Sequence, residues 1–123
     1  MNMNYESSEV VKSQLAQGVT FTVAKMSYNR RVELMRRVRE LARKFEFLEA
    51  GSEPGDKMDA ALLEAEINRL HLTWGLQAVS GLTLDGVGAT PESLTDSGPE
   101  DLFREALVAV RRQTGLTDSE RKN

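Results

Sequence analysis

The chain has 123 residues, 40% hydrophobic and 28% charged, with a formal net charge of −3; this suits a globular domain with its own core and excludes a disordered chain. There is no cysteine, which excludes a disulfide framework and thiol catalysis. No run approaches the roughly 18 apolar residues of a membrane span, and the opening MNMNYESSE has neither the basic nor the apolar region of a secretion signal, so a cytoplasmic protein is expected.

One domain over 1–123 is expected, with 1–8 and 117–123 flexible. The segment Glu9–Gln14 is ambiguous between strand and helix. After Gly18, the residues Val19, Phe21 and Val23 alternate with Thr20, Thr22 and Ala24, the pattern of a half-buried strand. A turn over Gln14–Gly18 would pair it with an earlier strand.

The stretch 27–50 is the longest periodic segment. Leu34, Val38, Leu41, Phe45 and Leu48 recur at steps of four, three, four and three, which lines one side of an α-helix about 35 Å long. Val32, Met35 and Ala42 widen the stripe, Ser27 is the expected N-cap and Gly51 the expected C′ residue. The stretch is also the most basic, with seven basic and four acidic residues, whereas 51–123 holds seven basic and thirteen acidic ones. Glu33 and Glu40 precede Arg37 and Lys44 by four residues, the favoured order for helical ion pairs. Arg36, Arg39 and Arg43 then form an outward stripe only partly neutralised. It is either a solvated face or a docking surface for an acidic protein segment. General nucleic-acid binding needs a more basic domain and is not expected.

GSEPGDK is a turn cluster. A second helix is predicted from about Lys57 to Val79, with Leu63, Ile67, Leu70, Trp74 and Ala78 in phase. The short connection predicts antiparallel neighbours. Gly75 inside this pattern marks close packing, a kink or an early helix end. The run Leu82–Leu84 is a candidate strand against 19–25, followed by an Asp85–Gly86 turn. Thr90–Pro91 opens a short helix to about Asp96. A last helix over 99–113 turns Leu102, Phe103, Ala106, Leu107 and Val110 inward and ends at Gly115. Thr117–Glu120 has the form of a capping box. The class is α+β and mainly helical: two long antiparallel helices, a C-terminal helix and a small N-terminal β element.

Catalytic and metal signatures are thin. His71 is the only histidine, so the usual nitrogen and sulfur ligands of zinc are lacking, and its place beside the apolar stripe of its helix suits a structural role. GVGAT at 86–90 lacks the lysine and spacing of a phosphate loop, and no glycine-flanked serine elbow occurs. No catalytic residue, cofactor or metal is expected.

The stretches GVTFTVAKMSYNRRVEL, KFEFLEAG, LTWGLQAVSGLTLDG, ATPESL, GPEDLFREAL and LTDSERKN cover most of the chain from Gly18 onward. In them the chain resembles the small tail assembly chaperones of long-tailed bacteriophages. That resemblance implies a mainly helical, non-enzymatic protein of the host cytoplasm. It would keep the tape-measure protein soluble and help recruit tail-tube subunits around it. It assigns no functional residue. The residues themselves point to Arg36, Arg39 and Arg43, and to Phe47, Leu72 and Leu76, which lie off the main stripes of their helices. The three apolar residues either widen the core or form an exposed patch that takes apolar helical segments of a client and can also serve self-association. The competing reading is a small regulatory or inhibitor protein that docks its basic helix on an acidic protein or on nucleic acid.

Overall fold

The computed structural model describes residues 2–50 and 53–115. In chain order they form β1 (Ser8–Lys12), β2 (Thr20–Ala24), α1 (Tyr28–Glu49), α2 (Pro54–Gly75), β3 (Leu76–Ser80), β4 (Thr83–Leu84), β5 (Val87–Gly88), α3 (Pro91–Ser97) and α4 (Glu100–Thr114). The class is α+β and mainly helical, as the sequence predicts.

β2 is the centre of an antiparallel sheet ordered β1-β2-β3. Its alternation puts Phe21 and Val23 on one face, both fully buried. Val11 opposes Phe21 from β1, and Val79 opposes it from β3. Leu102, Ala106, Leu107 and Val110 of α4, together with Leu72 and Leu94, complete this main core. Burying a side chain the size of Phe21 contributes about 2–3 kcal/mol. The loop between β1 and β2 is fixed to α4 by one carboxylate: Ser13 Oγ donates to Glu105 Oε1 at 2.6 Å and the Gln14 N–H donates to Oε2 at 2.7 Å.

Two corrections concern the second long helix. It begins at Pro54 and not near Lys57, because proline needs no N–H partner in the first turn of a helix. It ends at Gly75 and not near Val79. There the helix crosses α4 so closely that a Cβ on Gly75 would lie 2.5 Å from Val110 Cγ1. Leu76–Ser80 therefore supplies the second partner of β2, the place expected for Leu82–Leu84. Ala78, in phase with the helical stripe, is an exposed strand residue. Thr83–Leu84 pairs instead with Val87–Gly88 across an Asp85–Gly86 turn whose residues both have positive φ, 52° and 82°. That conformation is the reason for the Asp–Gly pair.

The caps follow the sequence. The Arg30 N–H donates to Ser27 Oγ at 3.3 Å. Thr90 and Ser93 cap α3 reciprocally, and Gly115 closes α4 with φ 62°. Gly51 and Thr117–Glu120 lie outside the described residues. At the N-terminus Ser7 already accepts a hydrogen bond from the Lys25 N–H at 2.8 Å and Ser8 belongs to β1, so the sheet begins inside the segment expected to be flexible.

α1 and α2, 22 residues each, pack on one another, and α1 meets little else. Leu34, Val38 and Ile67 form a second buried cluster, with Met26, Leu41, Leu70 and Trp74 around it. Trp74 belongs to the surroundings of both clusters and is half-buried. Arg30 lies over its ring, 4.4 Å from the centroid, and donates from Nη2 to the Trp74 carbonyl at 2.9 Å. Carbonyls of a last helical turn lack helical partners and carry the negative end of the helix dipole. The last turn of α2 has no basic residue of its own; Arg30 of α1 supplies the cation. Val32 and Met35, expected to widen the core stripe, are exposed instead, because α2 covers only one side of α1 and Ala42 closes the buried stripe. The side chains of Phe45 and Leu48 lie outside those described.

Candidate protein-binding surface

With Leu34, Val38 and Leu41 turned to α2, steps of about 100° per residue place Arg36, Arg39, Arg43 and Phe47 on the far side of α1. All four are exposed, and Phe47 retains 80% of its surface. None of the three guanidinium groups forms an ion pair or hydrogen bond among the described residues. The neighbouring Glu33–Arg37 pair does form, at 2.8 Å, but both side chains are half in water, so it contributes little to stability. Asn29, Val32, Glu33, Arg36 and Arg37 border a shallow notch of about 350 Å³. This face combines free cationic groups with exposed apolar area. It can attract an acidic segment through a field that fades over about 8 Å at physiological salt, and it offers apolar surface for contact.

Leu72 and Leu76, named with Phe47 as patch candidates, are not on this surface. They retain 0% and 4% of their area and belong to the main core. Leu72 lies off the α1-facing line of α2 because α2 is covered on a second side, by the sheet and α4. Leu76 is not helical at all; it opens β3 opposite Val23. Both widen the core, one of the two outcomes left open by the sequence. His71 is likewise buried at 2%, and its Nδ1 lies 3.1 Å from the Ile67 carbonyl. A carbonyl only accepts, so Nδ1 carries the proton in that contact.

A second exposed stripe was not singled out from the sequence. Met58, Ala61, Leu62 and Ala65 follow one another at i, i+3, i+4 and i+7 on the side of α2 turned away from α1, and all are exposed, Met58 at 69% and Leu62 at 62%. Its signal was present, on the side of the helix opposite the stronger Leu63–Ile67–Leu70–Trp74 line, but two alanines make it weaker than that line. The stripe runs into an open groove of about 310 Å³, lined by Ala65, Asn68, Arg69, Leu94, Phe103 and Arg104 among others.

The chain finds no match among protein-family models, curated proteins or solved structures. Among the described residues, no three His, Asp or Glu side chains come together in a way that could hold a metal ion. No described helix is long and apolar enough to cross a membrane.

Proposed function

We propose that this is a noncatalytic protein-binding protein, a tail assembly chaperone of the phage type, which holds the tape-measure protein in soluble form while tail-tube subunits gather on it. In this reading α1 and α2 form an antiparallel hairpin that presents its outer surface to the client. The meeting of Arg30, near the start of α1, with Trp74, near the end of α2, supports that orientation. The observation that carries the reading is Phe47. It is a large aromatic side chain, 80% exposed, on a helix face that also carries three arginines with no ion pair among the described residues. An apolar helical stretch of a client would bury Phe47 together with Val32. The surplus of acidic residues elsewhere in the chain would keep the loaded complex soluble.

The test is co-expression with a tape-measure fragment. Wild type should keep the fragment in the supernatant and Phe47→Ser should not, with both chaperone forms equally folded. Equal solubilisation by the two would exclude Phe47 from the client surface.

The arginine stripe also supports the second reading, a small regulator or inhibitor that docks α1 on an acidic protein or on nucleic acid. The two readings separate by salt. Apolar binding in a helix groove changes little with ionic strength. Binding to nucleic acid through several phosphates falls by roughly 10³-fold or more between 50 and 200 mM salt.

A further inference from the structure

The outer stripe of α2 faces away from α1 and continues, toward the start of the helix, the side on which Leu72 enters the main core; Met58, Ala61, Leu62 and Ala65 lie beyond the cover of that core and are exposed. Its shape and charges fit a second copy of itself. Ala61 and Ala65 are small enough to let another helix approach to about 8 Å between axes. Met58 and Leu62 stand as knobs along one flank of them. Consider two α2 helices crossing antiparallel about a two-fold axis between Leu62 and Ala65. Leu62 of each copy then meets Ala65 of the other, and Met58 of each reaches the level of Arg69 of the other. That is the level of the open groove lined by Ala65, Asn68, Leu94 and Phe103. Knob and hole lie on one face of the same chain, offset symmetrically about the axis, as an isologous interface requires.

The charges agree. The beginning of α2 is acidic, with Asp56 and Asp59, whereas the groove is rimmed by Arg69 and Arg104. Arg104 is already paired with Glu100 at 2.8 Å, but the Arg69 guanidinium has no ion pair among the described residues. The antiparallel crossing brings Asp59 of one copy beside Arg69 of the other, twice. The basic outer faces of the two α1 helices end on opposite sides of the assembly, where they do not repel one another.

We infer that the protein forms a two-fold homodimer through the outer face of α2, with Leu62 and Ala65 at the axis, Met58 in the partner's groove and reciprocal Asp59–Arg69 pairs. The contact covers a helix face about 12 residues long and a groove, of the order of 1,000 Å² in total, at the small end of specific interfaces. The dimer is accordingly weak, with a dissociation constant in the micromolar range. It does not depend on the client reading above, because Phe47 and the arginine stripe of α1 remain outside the contact.

Sedimentation equilibrium of the full chain from about 5 to 500 µM tests it, a range that brackets a micromolar constant. The average mass of wild type should rise from one copy to two. Leu62→Glu should stay monomeric throughout with an unchanged circular dichroism spectrum, while Arg39→Glu, on the face of α1, should dimerise like wild type. Asp59→Arg and Arg69→Asp should each weaken association at least tenfold, and the two together should restore it to within about threefold. Because the chain has no cysteine of its own, Leu62→Cys gives a second reading: under an added oxidant it should cross-link two copies, and Phe47→Cys should not. A wild type that stays monomeric at the highest concentration overturns the inference and leaves the stripe to a different protein. Association that survives Leu62→Glu, a charge pair that fails to restore it, or cross-linking through Phe47→Cys alone overturns it as well.

Discussion

The crossing of α2 over α4 at Gly75 can be tested by adding one methyl group. In Gly75→Ala the new Cβ would lie 2.5 Å from Val110 Cγ1 and 3.2 Å from its Cγ2, where ordinary contact begins near 3.4 Å. Val110 cannot swing aside easily. It is fully buried in α4, and a β-branched side chain in a helix has one strongly preferred rotamer. The two helices must therefore separate locally, at a cost of about 2 kcal/mol for such overpacking. The usual gain of alanine over glycine in a helix, up to ~1 kcal/mol, offsets little of this, because Gly75 is the last residue of α2 and the chain turns extended at Leu76. Val110→Ala alone removes two buried methyl groups and leaves a cavity, about 2.5 kcal/mol in transfer and packing together. In the double variant the added methyl occupies part of the space that Val110 gives up. Its loss should fall about 2 kcal/mol short of the sum of the single losses, since contacting residues are not additive. Urea melts of the four proteins measure the cycle. A neutral or stabilising Gly75→Ala, or a coupling below about 0.5 kcal/mol, would refute the close crossing and with it the reason given for the early end of α2.

Three further outcomes are expected. Glu105→Ala should cost about 2 kcal/mol, because a single carboxylate accepts from both Ser13 and Gln14 and hydrogen bonds to charged groups contribute more than neutral ones; chemical denaturation should show it, and loss below ~0.5 kcal/mol would mean that the loop is not held there. Leu76→Ser should destabilise by about 4 kcal/mol and Phe47→Ser by under ~0.5 kcal/mol, which thermal melts will separate; equal losses would contradict the opposite burial of the two side chains. Trp74→Ala should cost about 3 kcal/mol, as it empties space beside both clusters and removes the ring under Arg30, whereas Arg39→Ala should be within ~0.5 kcal/mol of wild type; calorimetry that ranks them the other way would reverse the assignment of faces on α1 and α2.

Local chemistry made much of this legible beforehand. β2 was readable because threonine, phenylalanine and valine alternate with period two against a sheet with one covered face. The caps at Ser27, Thr90 and Gly115 were readable because each satisfies helix-end groups within a few residues. What failed depended on contacts distant in sequence. Gly75 marked close packing or an early helix end, and both hold, but nothing near it says that Val110 lies across, so the helical phase seemed to run on through Ala78. Past that crossing Leu76–Ser80 pairs with β2 as the third strand, the role expected of Leu82–Leu84. Leu72 and Phe47 looked alike from their own helices, both off the main stripe. What separates them is the presence of α4 and the sheet on one side of α2, whereas no such layer lies beyond α1 among the described residues. Periodicity shows how many faces of a helix are apolar, but not how many are covered.

That difference in cover also divides the work between the two long helices. α2 is held on two sides, by α1 through Ile67 and by the sheet and α4 through Leu72 and Gly75. α1 is held on one side only, by a small buried cluster and by the Arg30 contact at the end of α2. The inner face of α1 is committed to α2, and its opposite face can change without disturbing any buried contact. A residue such as Phe47 is therefore not retained by the fold, and substitution there should leave the structure intact. The same holds for Arg36, Arg39 and Arg43. The outer stripe of α2 differs in kind. Its alanines leave it flat, and Arg69 beside it has no ion pair among the described residues; in the proposed dimer that cation meets a copy's own Asp59. In the readings proposed above, the two exposed surfaces take different partners: a second copy across α2 and a client across α1. Each can be disabled by a single exposed substitution while the other is left in place.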